Sequence, residues 1–372
     1  MKNKTYQILT MLNKRQTPII KQVIDWKLLL STLLFFSTIQ LTQIIAQDNA
    51  DKQIQKAYEL RMKGDTDSAI KMIDEIIEKN PSNALAFFEM ARIKPNDNID
   101  LLQKAFDLDP QNPMYGFELA NANMLKAYIA LMQGKEEESK EPLQQCMDNL
   151  KKVLKIKPEC KESLMFLIEL NLFFDDLRNN DDLAIFMRNL KNIDPVYATQ
   201  AEIVKKGAEV NAVEYWQKFM DENGKTPEIL IRMGMASLNM GNTEKAETIF
   251  EEVLNADPER NDLYLQLARG HLYKAMQADQ ETAKKEMGLI KKYINIYLEK
   301  EDNKVNHLEA WCYGWLSMVE RRSGNNEMAQ TYLDKANKLD PNFSRATALP
   351  ELTADSPPNE ITYKYRSYFT PF

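Results

Sequence analysis

The chain has 372 residues, 44% hydrophobic and 28% charged, with 48 Lys and Arg against 55 Asp and Glu and a formal net charge of −7. That composition excludes a disordered polyelectrolyte, and the acidic balance works against phosphate backbones and anionic lipid surfaces. Three cysteines, Cys146, Cys160 and Cys312, stand at no metal-ligand spacing, so they supply neither a disulfide framework nor a zinc site and read as small core residues.

Residues 1–46 read as an export signal rather than as part of the fold. Lys2, Lys4, Lys14, Arg15, Lys21 and Lys27 precede an uncharged run from Leu28 to Gln47, Ala46 offers a small residue for cleavage, and charge resumes at Asp48. Met11 is an alternative start to Met1, and the rival to cleavage is a membrane anchor formed by residues 28–47, diluted as they are by Ser, Thr and Gln. Cleavage removes six basic residues and Asp25, taking the net charge from −7 to −12, which makes nucleic acid and membrane surfaces poorer partners still.

From Asp51 onward the apolar residues recur at helical steps, and the chain is punctuated by Pro81, Pro110, Pro158, Pro195, Pro258 and Pro341, with Pro227 opening a segment. About eight helical hairpins fit between these marks. The first pairs Ile54 to Leu60 with Ala69, Ile73 and Ile76 across Lys63-Gly64-Asp65. In the second, Ala84 to Pro110, Pro95 replaces a glycine turn. The third, Pro113 to Gln133 and Glu137 to Ile156, has helices long enough to project beyond the array on one edge. The fourth carries Leu164, Leu167 and Ile168, then Leu183, Phe186 and Leu190. Between Asp194 and Asn223 the pattern is weakest, but Ile203, Ala208, Val210, Val213, Trp216 and Phe219 keep helical steps, which predicts a degenerate fifth hairpin.

The sixth segment, Pro227 to Pro258, is the clearest. Leu230, Met233, Gly234 and Leu238 form one face, Gly241-Asn242 ends that helix, Thr243 is expected to cap the next, and Ala246, Phe250, Val253 and Leu254 repeat the spacing. Gly234 and Ala246 permit close approach, with Phe250 filling the space beside them. The seventh pair runs from Asn261 to Gln277 and from Glu281 to Leu298. The eighth runs from His307 to Ser323, turns at Gly324-Asn325-Asn326, and carries Ala329, Leu333, Ala336 and Leu339.

This unit, near 34 residues long with small residues at the crossing and a closing proline, resembles the tetratricopeptide repeat. The resemblance implies an all-α fold, an α-solenoid of about eight antiparallel helix hairpins in a right-handed superhelix over residues 47–344. It also implies a non-enzymatic scaffold that holds a protein or peptide partner on the concave face lined by the first helix of each hairpin. Projected onto this chain, the family's groove positions fall on Met114, Phe117, Asn121 and Met124, on Glu162, Met165 and Glu169, and on Ile231, Met235, Leu238, Leu265, Arg269 and Leu272. The Lys, Asn and Arg set with which the family clamps a terminal carboxylate is absent, and Glu162 and Glu169 occupy that face, favouring apolar or basic partners.

No catalytic set is evident. The two histidines, His271 and His307, stand apart from any glycine-rich phosphate loop or nucleophile motif, and no cofactor is implied. His271 reads as a core histidine, and runs such as Glu136 to Glu138 and Glu251-Glu252 as solvated faces. Residues 345–372 form a linker and an aromatic tail. The alternation Ile361-Thr362-Tyr363-Lys364-Tyr365 predicts an extended segment that docks on the last hairpin or reaches back into the groove as an internal ligand, with a disordered tail as the alternative.

Overall fold

A computed structural model describes residues 47, 49–94, 98–301, 306–340, 357–358, 360–361 and 363. The expected export signal, the linker and most of the aromatic tail lie outside the described residues. Contacts divide the chain into two compact units, residues 1–53 and 54–372; what is described of the first is helical, and the second holds the repeats.

Among the described residues the fold is all-α, an α-solenoid of helix hairpins. A first helix, α1 (residues 49–62), precedes α2 (Thr66–Lys79), and the helices then pair as α3 (Ala84–Ile93) with α4 (Asn98–Leu108), α5 (Pro113–Met132) with α6 (Glu136–Ile156), and α7 (Lys161–Phe173) with α8 (Asn180–Ile193). Then follow α9 (Pro195–Lys206) with α10 (Ala212–Asn223), α11 (Pro227–Asn239) with α12 (Thr243–Ala256), α13 (Asp262–Gln277) with α14 (Gln280–Lys300), and α15 (Asn306–Arg322) with α16 (Asn326–Leu339). Each boundary has a local cause. Pro113, Pro195 and Pro227 sit in the first turn, where a missing N–H costs nothing. Asn112, Asp194 and Thr226 accept from backbone N–H groups that the helix itself leaves unpaired. At the central turn the cap is Asn242, whose side chain accepts from Lys245 N, rather than Thr243, which is the first residue of α12 and buried. Asn242 wins because the left-handed Gly241 (φ 74°) delivers the chain one residue earlier than the Thr signal suggested.

Packing within a hairpin is closest where small residues face aromatics. A Cβ built on Gly234 would lie 2.2 Å from Phe250 Cε1, so α11 and α12 cross with no room for a side chain there, and Ala246 is fully buried beside them. Between hairpins, Gly270 of α13 gives the same room to Leu238 of α11. At the end of the long α5, Leu125, Ile129 and Met132 are 43%, 48% and 71% exposed.

The buried side chains form three apolar clusters. One spans α3 to α5, a second α5 to α9, and the third α9 to α15. The fifth hairpin is the seam between the last two. Ala198, Ala201 and Val204 of α9 belong to the upstream cluster, while Ile203 of the same helix joins Val213 and Trp216 of α10 downstream. Accordingly α9 packs more on α7 and α8 than on its own partner α10. All three cysteines are free and buried, and among the described residues no helix is long and apolar enough to cross a membrane.

Candidate partner groove

The projected groove positions divide into two groups. Phe117 and Met124 of α5, Met165 of α7, and Leu238 and Leu265 of α11 and α13 are members of the apolar clusters, and Met114 is also buried. They pack hairpin against hairpin, and all but Phe117, which also meets Tyr363 of the tail, offer a partner little surface. Glu169 was expected to carry charge on the open face but is only 1% exposed, inside the apolar run Leu-Ile-Glu-Leu, and Arg269 is 8% exposed, with its Nη1 donating to Gln266 Oε1 at 3.3 Å. The expectation failed at these positions because the first helices of this chain pack on both neighbours more completely than a one-stripe projection assumes. Asn121, Glu162, Ile231, Met235 and Leu272 are the positions that remain partly exposed.

At the third and fourth hairpins this face already holds a segment. Tyr363 of the tail lies against Phe117, ring centroids 5.2 Å apart and nearly perpendicular, and Lys157 Nζ stands 4.5 Å from the centre of the same tyrosine ring. Tyr363 touches the clusters on both sides of α5, and Ile361 packs on the α3 to α5 cluster together with Ile156. Burial, and then the neighbouring Cys160, Glu162 and Glu159, push the Tyr363 phenol well above its ordinary pKa, so the hydroxyl is neutral. Of the expected resting places of the tail, the last hairpin is not the one Ile361 and Tyr363 take: both lie on the upstream hairpins. Lys157, Glu159 and Cys160 carry no groove signal in the sequence; they flank the closing proline of a repeat, a loop position that helical periodicity does not read.

The downstream half is pinned by a buried polar cluster. His271 of α13 is 1% exposed, with Nδ1 2.5 Å from Glu286 Oε2 of α14 and Nε2 3.0 Å from Glu247 Oε1 of α12. Tyr293 donates its hydroxyl to the same Glu247 oxygen at 2.7 Å and stacks on the imidazole with centroids 5.5 Å apart. Lys274 Nζ donates to Thr243 Oγ1 and Glu244 Oε1 and lies 3.4 Å from Glu286 Oε1. Burial and the hydrogen bond to Glu247 push the Tyr293 phenol far up. The cluster ties three helices of two hairpins together. Its ring faces are covered and its carboxylates are engaged, which makes it a structural core rather than an acid and base pair facing a substrate. Among the described residues no group of three or more His, Cys, Asp or Glu is arranged to hold a metal ion.

A third set joins hairpins across the seam. Lys161 Nζ meets Asp194 Oδ2 at 2.6 Å, and the Tyr197 ring has Lys161 Nζ 4.4 Å and Arg232 Cζ 4.9 Å from its centre. Burial alone would raise the Asp194 carboxyl, but the Lys161 hydrogen bond and the Tyr197 and Val196 amides outweigh it and hold the group below the usual aspartate range.

The tetratricopeptide-repeat family model matches residues 227–260 and 312–343, the sixth hairpin and the last. No curated protein matches the chain. Solved structures similar to it include PilW, a type IV pilus biogenesis factor (18% identity, 61% of this chain and 96% of that one, TM-score 0.36). Others are a tetratricopeptide repeat protein from Parabacteroides merdae (15%, 78% and 93%, 0.37) and a thermophilic one, TTC0263, from Thermus thermophilus (18%, 60% and 99%, 0.36). At these scores the likeness carries no information on ligand or pathway. With the family's repeat matched in two segments and helix hairpins running through the described repeats, the chain carries tetratricopeptide repeats.

Proposed function

We propose that the chain is an exported, non-enzymatic scaffold that holds a segment of a protein partner along the first-helix face of its repeats. The observation that supports this most directly is Tyr363 seated on α5, because it is a case of that face accepting a side chain from a non-helical segment. The partly exposed Ile231, Met235 and Leu272 extend a similar apolar surface downstream. The acidic balance of the chain favours an apolar or basic segment over nucleic acid. A photo-reactive phenylalanine placed at Met235 or Leu272 of the full chain should cross-link a discrete protein in the native host, and the same group at exposed Glu252 on α12 should not. Equal labelling at all three sites would count against a groove. Export is tested by N-terminal sequencing. A first residue following Ala46 supports cleavage, a full-length membrane-bound chain supports the anchor formed by residues 28–47, and a full-length cytosolic chain beginning at Met1 or Met11 overturns both.

A further inference from the structure

The tail seat has a definite chemistry. Its floor is the Phe117 ring, met edge-on, and its wall is the Lys157 ammonium over the face of the incoming ring, an arrangement that rewards an aromatic side chain over an aliphatic one. A second, purely apolar position lies on the α3 to α5 cluster, where Ile361 packs. Residues two apart in an extended chain project to the same side, so the pair reads aliphatic, any residue, aromatic. Glu159 and Glu162 stand near the aromatic position and disfavour acidic neighbours. The tail's own sequence fits that field, with Lys364 and Arg366 following Tyr363.

Resting on the scaffold reading above, we infer that this seat is a specificity pocket for partner segments with an aliphatic residue two positions before a tyrosine or phenylalanine in neutral or basic surroundings, and that the chain's own tail closes it until such a segment takes its place. The occupant in trans is a segment of another protein. The tail is joined to α16 through residues 341–356, so it competes as a tethered ligand, with an effective concentration on the order of millimolar. A free segment of equal quality therefore gains access only when the cis anchors are lost or outbid.

The test uses the full chain in two forms, wild type and the double variant Ile361→Ser with Tyr363→Ser, whose changes lie outside the helices. The probe is a fluorescent synthetic peptide covering residues 357–368, followed by anisotropy. The double variant should bind it roughly tenfold or more tightly than wild type. Tyr363→Ala in the peptide should abolish that gain, and adding Lys157→Ala to the protein should reduce it. Equal binding by the two proteins, or none by the double variant, overturns the inference. So does a wild-type dimer that the double variant loses, since the seat would then be filled by a second copy. Loss of peptide binding with the Met235 and Leu272 cross-links retained refutes this inference alone, whereas absence of those cross-links refutes the scaffold reading and the partner role of the seat with it.

Discussion

The third and fourth hairpins and the sixth and seventh hairpins solve the same packing problem with different materials. Upstream, the first-helix face of α5 and α7 is completed by side chains borrowed from a segment more than 150 residues away, Ile361 and Tyr363. Downstream, α11 and α13 leave Ile231, Met235 and Leu272 partly exposed on the corresponding face, and the hairpins are locked from within by His271, Glu286, Glu247 and Tyr293. The difference separates cohesion from recognition. Where neighbouring repeats are held by their own buried polar cluster, the open face is free to stay open; where that face is capped by the tail, it is both sealed and reserved.

The comparison breaks most severely at Glu286. Replacing it with Ala leaves His271 and Lys274 without their shared carboxylate in a site where Glu286 is 2% exposed, and should cost about 3 kcal/mol. Urea denaturation followed by circular dichroism reads this as a drop in midpoint, and an unchanged midpoint would show that the cluster does not hold the downstream half. Next in size is the α11 and α12 crossing. Gly234→Ala drives a methyl group into Phe250, and Ala246→Leu overfills the same contact, each at about 1–3 kcal/mol. Adding Phe250→Leu to Gly234→Ala should recover part of the loss, which a general helix effect of alanine would not require.

Tyr363→Ser probes the upstream half. Its ring is partly buried, so the loss should be about 1 kcal/mol, and it should fall on the transition of the third and fourth hairpins while leaving the downstream transition unmoved. The last effect belongs to the seam. Asp194 has a folded-state pKa below its unfolded value, so the pair with Lys161 contributes stability above roughly pH 4 that is lost as pH falls through the folded value. Asp194→Asn keeps the helix cap, because asparagine accepts the same backbone bonds, but removes the charge. At neutral pH it should cost about 1 kcal/mol for a partly buried pair, and below about pH 4 the difference between variant and wild type should shrink. A gap that widens in acid would reverse the assignment.

Much of this architecture is legible in the sequence itself, for reasons visible in particular residues. Pro113, Pro195 and Pro227 start helices, Gly241 stops one, and Gly234 opposite Phe250 announces a close crossing; each acts within a turn or a hairpin, where sequence distance and spatial distance agree. Even the weak fifth hairpin shows in Ile203, Val213 and Trp216. The groove is less legible. Phe117, Met124, Met165, Leu238 and Leu265 sit on a first helix, but such a helix touches both neighbouring hairpins and its own partner, so one stripe of the projection lands in the core. Glu169, like the buried Glu89, carries charge in a run whose neighbours are apolar on both sides, which is the available sign of burial. The tail's seat depends on Lys157 and Phe117 meeting Tyr363 from more than 200 residues away in the chain, a distance over which periodicity has no say.

The route of that tail has a mechanical side. A stack of helix pairs behaves as a spring, since each interface contributes a small rotation and small adjustments add along its length. The chain leaves α16 at Asp340 and has its next anchor at Ile361 on the upstream hairpins, and the 21 residue-to-residue steps between can reach no further than about 70–75 Å when fully extended. Moving Asp340 further than that from the place of Ile361 requires the tail to leave its seat, so the covalent reach of the chain limits how far the last hairpin and α5 can separate while Tyr363 stays on Phe117.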